Sequence, residues 1–417
     1  MRPGRSRIPA RMTHHVRYLL AVAAAALLCA CGSTSIASHP HSPTVSGSAA
    51  GSTPTAASTP GAAFPSPAPG VTSSVPAVSL TCASTPPAGA HLALVTLRNV
   101  SGIVVRDITD LAHPVTRCTF GGGQYFRFFN TTHVSYVVAA SRDQGAPGAL
   151  YLADLTTQTT SLVRAWTYGG FASWVYNWSP NGQYLSYIKS DQTGAEWHLL
   201  SAGGDRMLSS LGAVVPRGLD PNGDDQMVGF SADGQYVAIE QTFTGGKGGN
   251  ATTPIQVNRI SDGSLAYSRT DGTMAAWAGA GARLLFRTTA GVQAWSPGGG
   301  VTTVSAGTTW VHPVASPDGA RIAFSVLNAQ TNHIGQVVDL TTGAIHQLSP
   351  NPRVGAAFLN ASLVWYAGED ICTTATPCPF GIAPLTGKTY LYDLGSDVET
   401  GSVDTGFYDS WPHVVGQ

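Results

Sequence analysis

Ala315-Ser316-Pro317-Asp318-Gly319-Ala320-Arg321-Ile322-Ala323-Phe324 decides the fold of this chain. An apolar residue leads into a Ser-Pro-Asp-Gly turn, and an alternating β-rich run follows. The same phrase stands at Trp178-Ser179-Pro180-Asn181-Gly182-Gln183-Tyr184-Leu185-Ser186-Tyr187-Ile188 and at Phe230-Ser231-Ala232-Asp233-Gly234-Gln235-Tyr236-Val237-Ala238-Ile239. Asp or Asn followed by Gly suits a tight turn, because the side chain bonds local backbone and Gly takes the conformation that other residues resist. A strand-built unit returning every ~40–50 residues is the signature of a propeller or solenoid array.

Degenerate copies occur at Phe129-Asn130-Thr131-Thr132, at Trp277-Ala278-Gly279-Ala280-Gly281 and at Phe358-Leu359-Asn360-Ala361. A second phrase, an apolar run ending in Asp and an aliphatic residue, follows several of them. It reads Leu150-Tyr151-Leu152-Ala153-Asp154-Leu155, Val337-Val338-Asp339-Leu340 and Leu391-Tyr392-Asp393-Leu394, with Val104-Val105-Arg106-Asp107-Ile108 near the start. The first unit has strand-like runs at 92–97, 102–108 and 115–120 but no turn phrase ahead of them. Ser410-Trp411-Pro412-His413-Val414-Val415 resembles Trp310-Val311-His312-Pro313-Val314-Ala315, so the C-terminal strand is expected to complete that first unit and close the ring. No segment keeps a helical period. The expected fold is all-β, a single β-propeller of four-stranded blades. Seven is the count, and the degenerate copies leave six or eight open.

These phrases resemble the TolB-like, PD40 (WD40-like) β-propeller repeats of bacterial envelope proteins, over about residues 88–416. The resemblance implies a binding platform used for protein partners. TolB-type members carry a small α/β domain ahead of the propeller, where this chain has a Ser/Thr/Pro-rich stretch. Peptidase relatives add an α/β-hydrolase domain, and no Gly-x-Ser-x-Gly elbow occurs here, so that activity is not implied.

Residues 1–30 read as a signal peptide. Arg2, Arg5, Arg7, Arg11 and Arg17 precede a short apolar run, Tyr18 to Leu28, too short to span a bilayer. It ends in Leu28-Cys29-Ala30-Cys31-Gly32, which resembles the bacterial lipobox and makes Cys31 the lipid-accepting residue. Residues 31–79, almost wholly Ser, Thr, Pro, Ala and Gly, are too poor in large apolar groups to offset ordering entropy and read as a disordered tether reaching on the order of 40 Å. The propeller is expected over 80–417. Export places the remaining cysteines, Cys82, Cys118, Cys372 and Cys378, in an oxidising compartment. Four cysteines allow three pairings. A Cys82–Cys118 bridge would pin the start of the fold, and Cys372 with Cys378 would close a short loop.

A formal net charge of −1, with 11% charged residues and lysine only at 189, 247 and 388, excludes a nucleic-acid binder, which needs basic patches to meet phosphate. Candidate ligand-binding residues are Trp174, Trp310, His312, Trp411 and His413, which fall at the entry of inner strands where a channel rim would lie. Packing between blades is the competing account of the tryptophans, and packed or solvent-facing rings that of the histidines. Two histidines sharing one mouth suit a metal. Asp220, Asn222 and Asp224 alternate oxygen ligands as a calcium loop does, and a solvated polar turn accounts for the same spacing. No cofactor is required, with calcium or another divalent metal the one to test. No catalytic set is identified. The expected role is a lipid-anchored module on the extracytoplasmic face of the cell membrane, binding an envelope protein or cell-surface glycan without catalysis. The alternatives are a channel-mouth metal-dependent hydrolase or lyase and a sugar-binding lipoprotein.

Overall fold

Thr59–Gln417 is the second of two units in the chain. A computed structural model of the protein describes residues 72–96, 102–141, 145–167, 176–190, 195–212, 229–240, 255–279, 281–305, 310–328, 332–373, 376, 385–404 and 413–415, all in the second unit. They form seven antiparallel sheets and no helix, a seven-bladed β-propeller. Blade 2 holds Gln124–Asn130, His133–Ala139, Pro147–Asp154 and Thr159–Thr167 from the axis outward. The innermost strands of blades 3 to 7 are Tyr176–Trp178, Gly229–Phe230, Thr273–Ala278, Val311–Ala315 and Arg353–Phe358.

Blade 1 is closed by the other end of the chain. His413–Val415 pairs with Leu92–Thr96, setting Leu94 opposite His413 and Leu92 opposite Val415. It also has a fifth strand that the repeat pattern does not contain. Leu80–Cys82 pairs on the outer edge with Val115–Phe120, and Cys82 lies opposite Cys118. A disulfide joins the two across 36 residues. Closing a loop of that length removes about 4 kcal/mol of unfolded-chain entropy in the chain-entropy account. Cys372 is disulfide-bonded as well, and Cys378 lies outside the described residues.

The fold begins earlier than composition indicates. Val75, read as tether, is buried, and its carbonyl accepts the Tyr151 hydroxyl at 2.5 Å. Val78 packs on the same core. Two valines within a Ser/Pro-rich stretch suffice because blades 1 and 2 already offer an apolar seat.

The two recurring phrases meet in space. The Ser316 amide donates to the Arg321 carbonyl at 2.9 Å, and the Arg321 amide returns to Ser316 Oγ at 3.0 Å. Ser316 Oγ donates to Asp318 Oδ1 at 2.5 Å, which also accepts the Ala320 amide at 3.0 Å. Ser179 and Ser231 repeat the arrangement with Asn181 and Asp233, and all three serines are buried. In blades 2 and 7, Asn130 and Asn360 take the serine's place and accept the amides of Thr132 and Ser362 directly. The aliphatic residue of the second phrase then donates its amide across the turn. Leu155 bonds the Thr132 carbonyl, Ile260 that of Gln235, Leu340 that of Ala320, Leu394 that of Ser362, and in blade 1 Ile108 that of His91, all within 2.8–2.9 Å.

Neighbouring blades cover both faces of the middle strands, so apolar residues can stand at consecutive positions there. Leu284, Leu285 and Phe286 run consecutively without exposure. Burying side chains of this size contributes roughly 1.5–3 kcal/mol each. Phe120, Phe126 and Tyr136 join blades 1 and 2, with ring centroids 5.0–5.3 Å apart.

Gly319 and Gly343 separate two demands on glycine. Both have positive φ, 65° and 73°. A Cβ on Gly343 meets nothing within 4 Å, whereas one on Gly319 lands 2.1 Å from the Gly279 backbone of the neighbouring blade. Gly343→Ala should cost about 1–2 kcal/mol, the left-handed backbone alone. Gly319→Ala should cost at least about twice that, because backbone must move. Chemical denaturation of both variants checks this, and equal losses would show that the turns of blades 5 and 6 do not touch.

Candidate functional site

The ring has two unlike ends. At one lie the turns between each innermost strand and the next. At the other, where the innermost strands begin, four of them carry a bulge at the same place. Gln124 to Arg127, Thr273 to Ala276, Val311 to Val314 and Val354 to Ala357 each advance three positions while the partner strand advances two. A bulge takes backbone groups out of the ladder and turns the strand. Tyr125 (φ 55°), Met274 (φ 52°) and Gly355 (φ 69°) hold left-handed conformations there. Two of the three are not glycine, so surrounding contacts must hold them.

Those contacts are visible. In blade 5 the freed amides of Met274 and Ala275 donate to the two carboxylate oxygens of Glu240, at 3.1 and 2.8 Å. Glu240 ends the second strand of blade 4, so one side chain joins two blades. Consecutive amides turned to one side form an anion-binding concavity, here filled by the protein's own carboxylate. In blade 2 the Tyr125 carbonyl accepts the Tyr176 hydroxyl at 2.6 Å. Ser135 Oγ lies 3.0 Å from that hydroxyl and accepts Trp178 Nε1 at 3.0 Å, tying blade 3 to blade 2. Burial pushes the Tyr176 phenol well up, against the Arg127 charge and the Ser135 hydrogen bond.

A second polar cluster spans blades 2 and 3. His198 is held between Asp205 (3.1 Å) and Glu196 (3.0 Å). Asp205 Oδ2 also accepts Tyr187 Oη at 2.6 Å and an Arg164 N–H at 2.8 Å. Burial works against a charged imidazole, but hydrogen bonds to Asp205 and Glu196 outweigh it, and the His198 pKa lies above its usual value. Asp205 is likewise desolvated, yet hydrogen bonds from His198 and Tyr187 hold it below the ordinary carboxylate range. In blade 7, Arg353 makes a bidentate pair with Glu399 at 2.9 and 3.1 Å and lies 3.7 Å over the Tyr390 ring. His333 and buried Glu369 join blades 6 and 7 at 2.7 Å.

Among the residues expected at the rim, Trp310 is relocated. It is 1% exposed and packs on Phe324 at 5.6 Å within the core shared by blades 5 and 6. Its indole fills the space ahead of the strand instead of facing the axis. His312 falls in the blade 6 bulge and His413 opposite Leu94 in blade 1, so the blade 7 innermost strand stands between theirs. Trp174, Trp411, Asp220, Asn222, Asp224 and Cys31 lie outside the described residues. Among the described residues no group of three His, Cys, Asp or Glu is placed to hold a metal ion. Sequence reasoning missed Glu240 and His198. Glu240 is a single acid at a strand end, and His198 with Glu196 alternates along a strand, a pattern that any solvent-facing strand shows.

No protein-family model and no curated protein matches this sequence. Solved structures do match. A prolyl endopeptidase gives a TM-score of 0.52 at 14% identity, over 78% of this chain and 48% of that one. TolB from Acinetobacter baumannii gives 0.47 at 14% identity, over 78% and 66%. An oligogalacturonate lyase in complex with manganese gives 0.47 at 12% identity, over 80% and 87%. At such identities the likeness shows the propeller fold alone.

Two outcomes follow from the site's polar groups. Glu240→Ala should cost about 2 kcal/mol by leaving two amides without their acceptor, with Glu240→Gln intermediate. An unchanged denaturation midpoint in Glu240→Ala would show that water replaces the carboxylate without loss. Because the folded pKa of His198 is raised, its contribution is fully present below the unfolded value near 6.5 and is lost as pH rises through the higher folded value. Melting temperature should therefore decline over that interval in the native protein and stay flatter in His198→Gln. Parallel profiles would remove His198 from the account.

Proposed function

We propose that this protein is a lipid-anchored, extracytoplasmic β-propeller that serves as a non-catalytic binding platform for a protein of the cell envelope. One observation carries the reading. Ionisable groups are engaged within the protein, both between blades, Glu240 on two amides of blade 5 and His333 on Glu369 of blade 7, and inside a blade, His198 between two carboxylates of blade 3 and Arg353 on Glu399 of blade 7. Groups fixed in this way build a rigid surface, and a rigid surface binds with little ordering cost. The lipobox-like Cys31 and the Ser/Thr/Pro-rich stretch after it support anchoring at a distance from the membrane. The rival reading, a channel-mouth hydrolase or lyase with a divalent metal, would centre on His312 and His413.

In-cell crosslinking with the full-length protein as bait, followed by mass spectrometry, tests the proposal. One abundant envelope protein should co-purify, and Cys31→Ser should lose both membrane association and the crosslink. An empty crosslinking reaction, together with tightly bound metal that His312→Ala releases, would overturn the platform in favour of the enzyme.

A further inference from the structure

Two consecutive blades present the same dipeptide to one cleft. Gln183-Tyr184 and Gln235-Tyr236 each follow the glycine of a turn phrase, at the end of the ring away from the bulges. The turn does not require them, since Ala320-Arg321 stands there in blade 6 with the same hydrogen bonds. The fold explains the serine, the Asx residue, the glycine and, through core packing, the two tyrosine rings, and leaves the glutamines and the tyrosine hydroxyls of blades 3 and 4 unexplained.

The two pairs line a cleft of about 310 Å³ together with Asn181 and Arg259. Its walls are fixed. Tyr236 packs edge-on against Trp295 at 5.8 Å, and Tyr184 leans on the core that includes Trp197 and Val237. Arg206 of blade 3 donates to the carbonyls of Ile260 and Ser261 at 3.3 and 3.4 Å, holding the loop that bounds the cleft. The lining groups are less committed. Among the described residues, the phenol hydroxyls of Tyr184 and Tyr236 and the side-chain amide of Gln235 make no hydrogen bond to the protein. Arg259 donates one N–H to Ser264 Oγ at 3.1 Å, and a guanidinium has five.

We propose that this cleft binds a saccharide. A side-chain amide offers a donor and an acceptor side by side, which matches two adjacent ring hydroxyls that each give and accept. Tyrosine supplies a rigid flat body with a polar tip, suited to a sugar's C–H face and its hydroxyls. Arg259 is the one charged lining residue, so the site accepts neutral sugars, pairs with the carboxylate of a uronate and rejects cationic ligands. The volume sits at the small end of ligand sites, enough for a monosaccharide or the end of a glycan chain. This goes beyond the envelope-protein platform and stands independently of it, because sugar binding is read on the isolated protein and the protein partner in cells.

The test is isothermal titration of the full-length protein in detergent with oligosaccharides of glucose, mannose, galactose, N-acetylglucosamine and glucuronate. Saturable binding to at least one is expected, weakened roughly tenfold by Gln235→Ala and by Tyr236→Phe. Melting temperature should be unchanged in both variants, since neither side-chain group is bonded within the protein. Arg259→Gln should weaken the glucuronate oligosaccharide more than the neutral ones if the uronate is the bound form, and all of them alike if it is not. No saturable binding across these five, or binding that both Gln235→Ala and Tyr236→Phe leave intact, overturns the proposal.

Discussion

Each blade of this ring needs a neighbour on both faces. A four-stranded sheet with two apolar faces has no stable existence in water, so stability belongs to the closed circle and not to any single repeat. Closure here depends on three residues, His413–Val415, laid against Leu92–Thr96. That short ladder joins the two ends of the chain, and the same blade carries added reinforcement. A fifth strand covers its outer edge, and the Cys82–Cys118 bridge fastens that strand to its neighbour. Covalent support therefore lies in the blade whose strands come from opposite ends of the sequence and whose assembly carries the largest loop-closure cost.

Within the circle, polar groups do the work of alignment. Apolar contacts between blades are non-directional and tolerate sliding, whereas hydrogen bonds across a blade junction do not. Trp277 Nε1 on the Gly229 carbonyl, Arg287 on the Trp310 carbonyl and Arg321 on the Ala361 carbonyl each bind a side chain of one blade to the backbone of the next. Glu240 does the same with its charge on the blade 5 bulge. Such bonds fix register between sheets that share no ladder.

The architecture was legible because its turn makes demands that few residues meet. A buried hydroxyl that both donates and accepts, an Asx side chain two positions on and a glycine at positive φ leave a readable trace, and the aliphatic residue that bonds across the turn leaves a second. Composition alone sets the start of the fold after Val75 and Val78, because they are two apolar residues in a polar run and only the surface they meet gives them weight. Trp310 stands between rim and core in the sequence because its position before a strand says nothing about which way the indole turns, and the structure places it in the core. Glu240 left no mark, since its role comes from amides on a different blade, and His198 left none because its acids, Glu196 and Asp205, stand where any polar strand carries them. Sequence periodicity reports what each blade repeats, and a site made where blades meet depends on what they do not repeat.

The two ends of the ring follow from this division and differ in chemistry. At the bulged end, backbone amides and carbonyls leave the ladder, and the protein meets them with Glu240 and with the Tyr176 and Trp178 relay. The freed backbone groups there are taken up by the protein's own side chains, which fixes the shape of that end. At the turn end, the backbone is fully occupied by the serine and Asx bonds, and only side chains are left to face outward. The hydrogen bonds of the turn therefore do not dictate which residues stand at the two positions after each glycine. Blades 3 and 4 hold Gln-Tyr there, blade 6 holds Ala-Arg, and the Arg is drawn into the next blade by the Ala361 carbonyl. The fold places one end under backbone constraint and leaves the other to vary, which puts a side-chain-built cleft at the turn end and a backbone-built mouth at the bulged end.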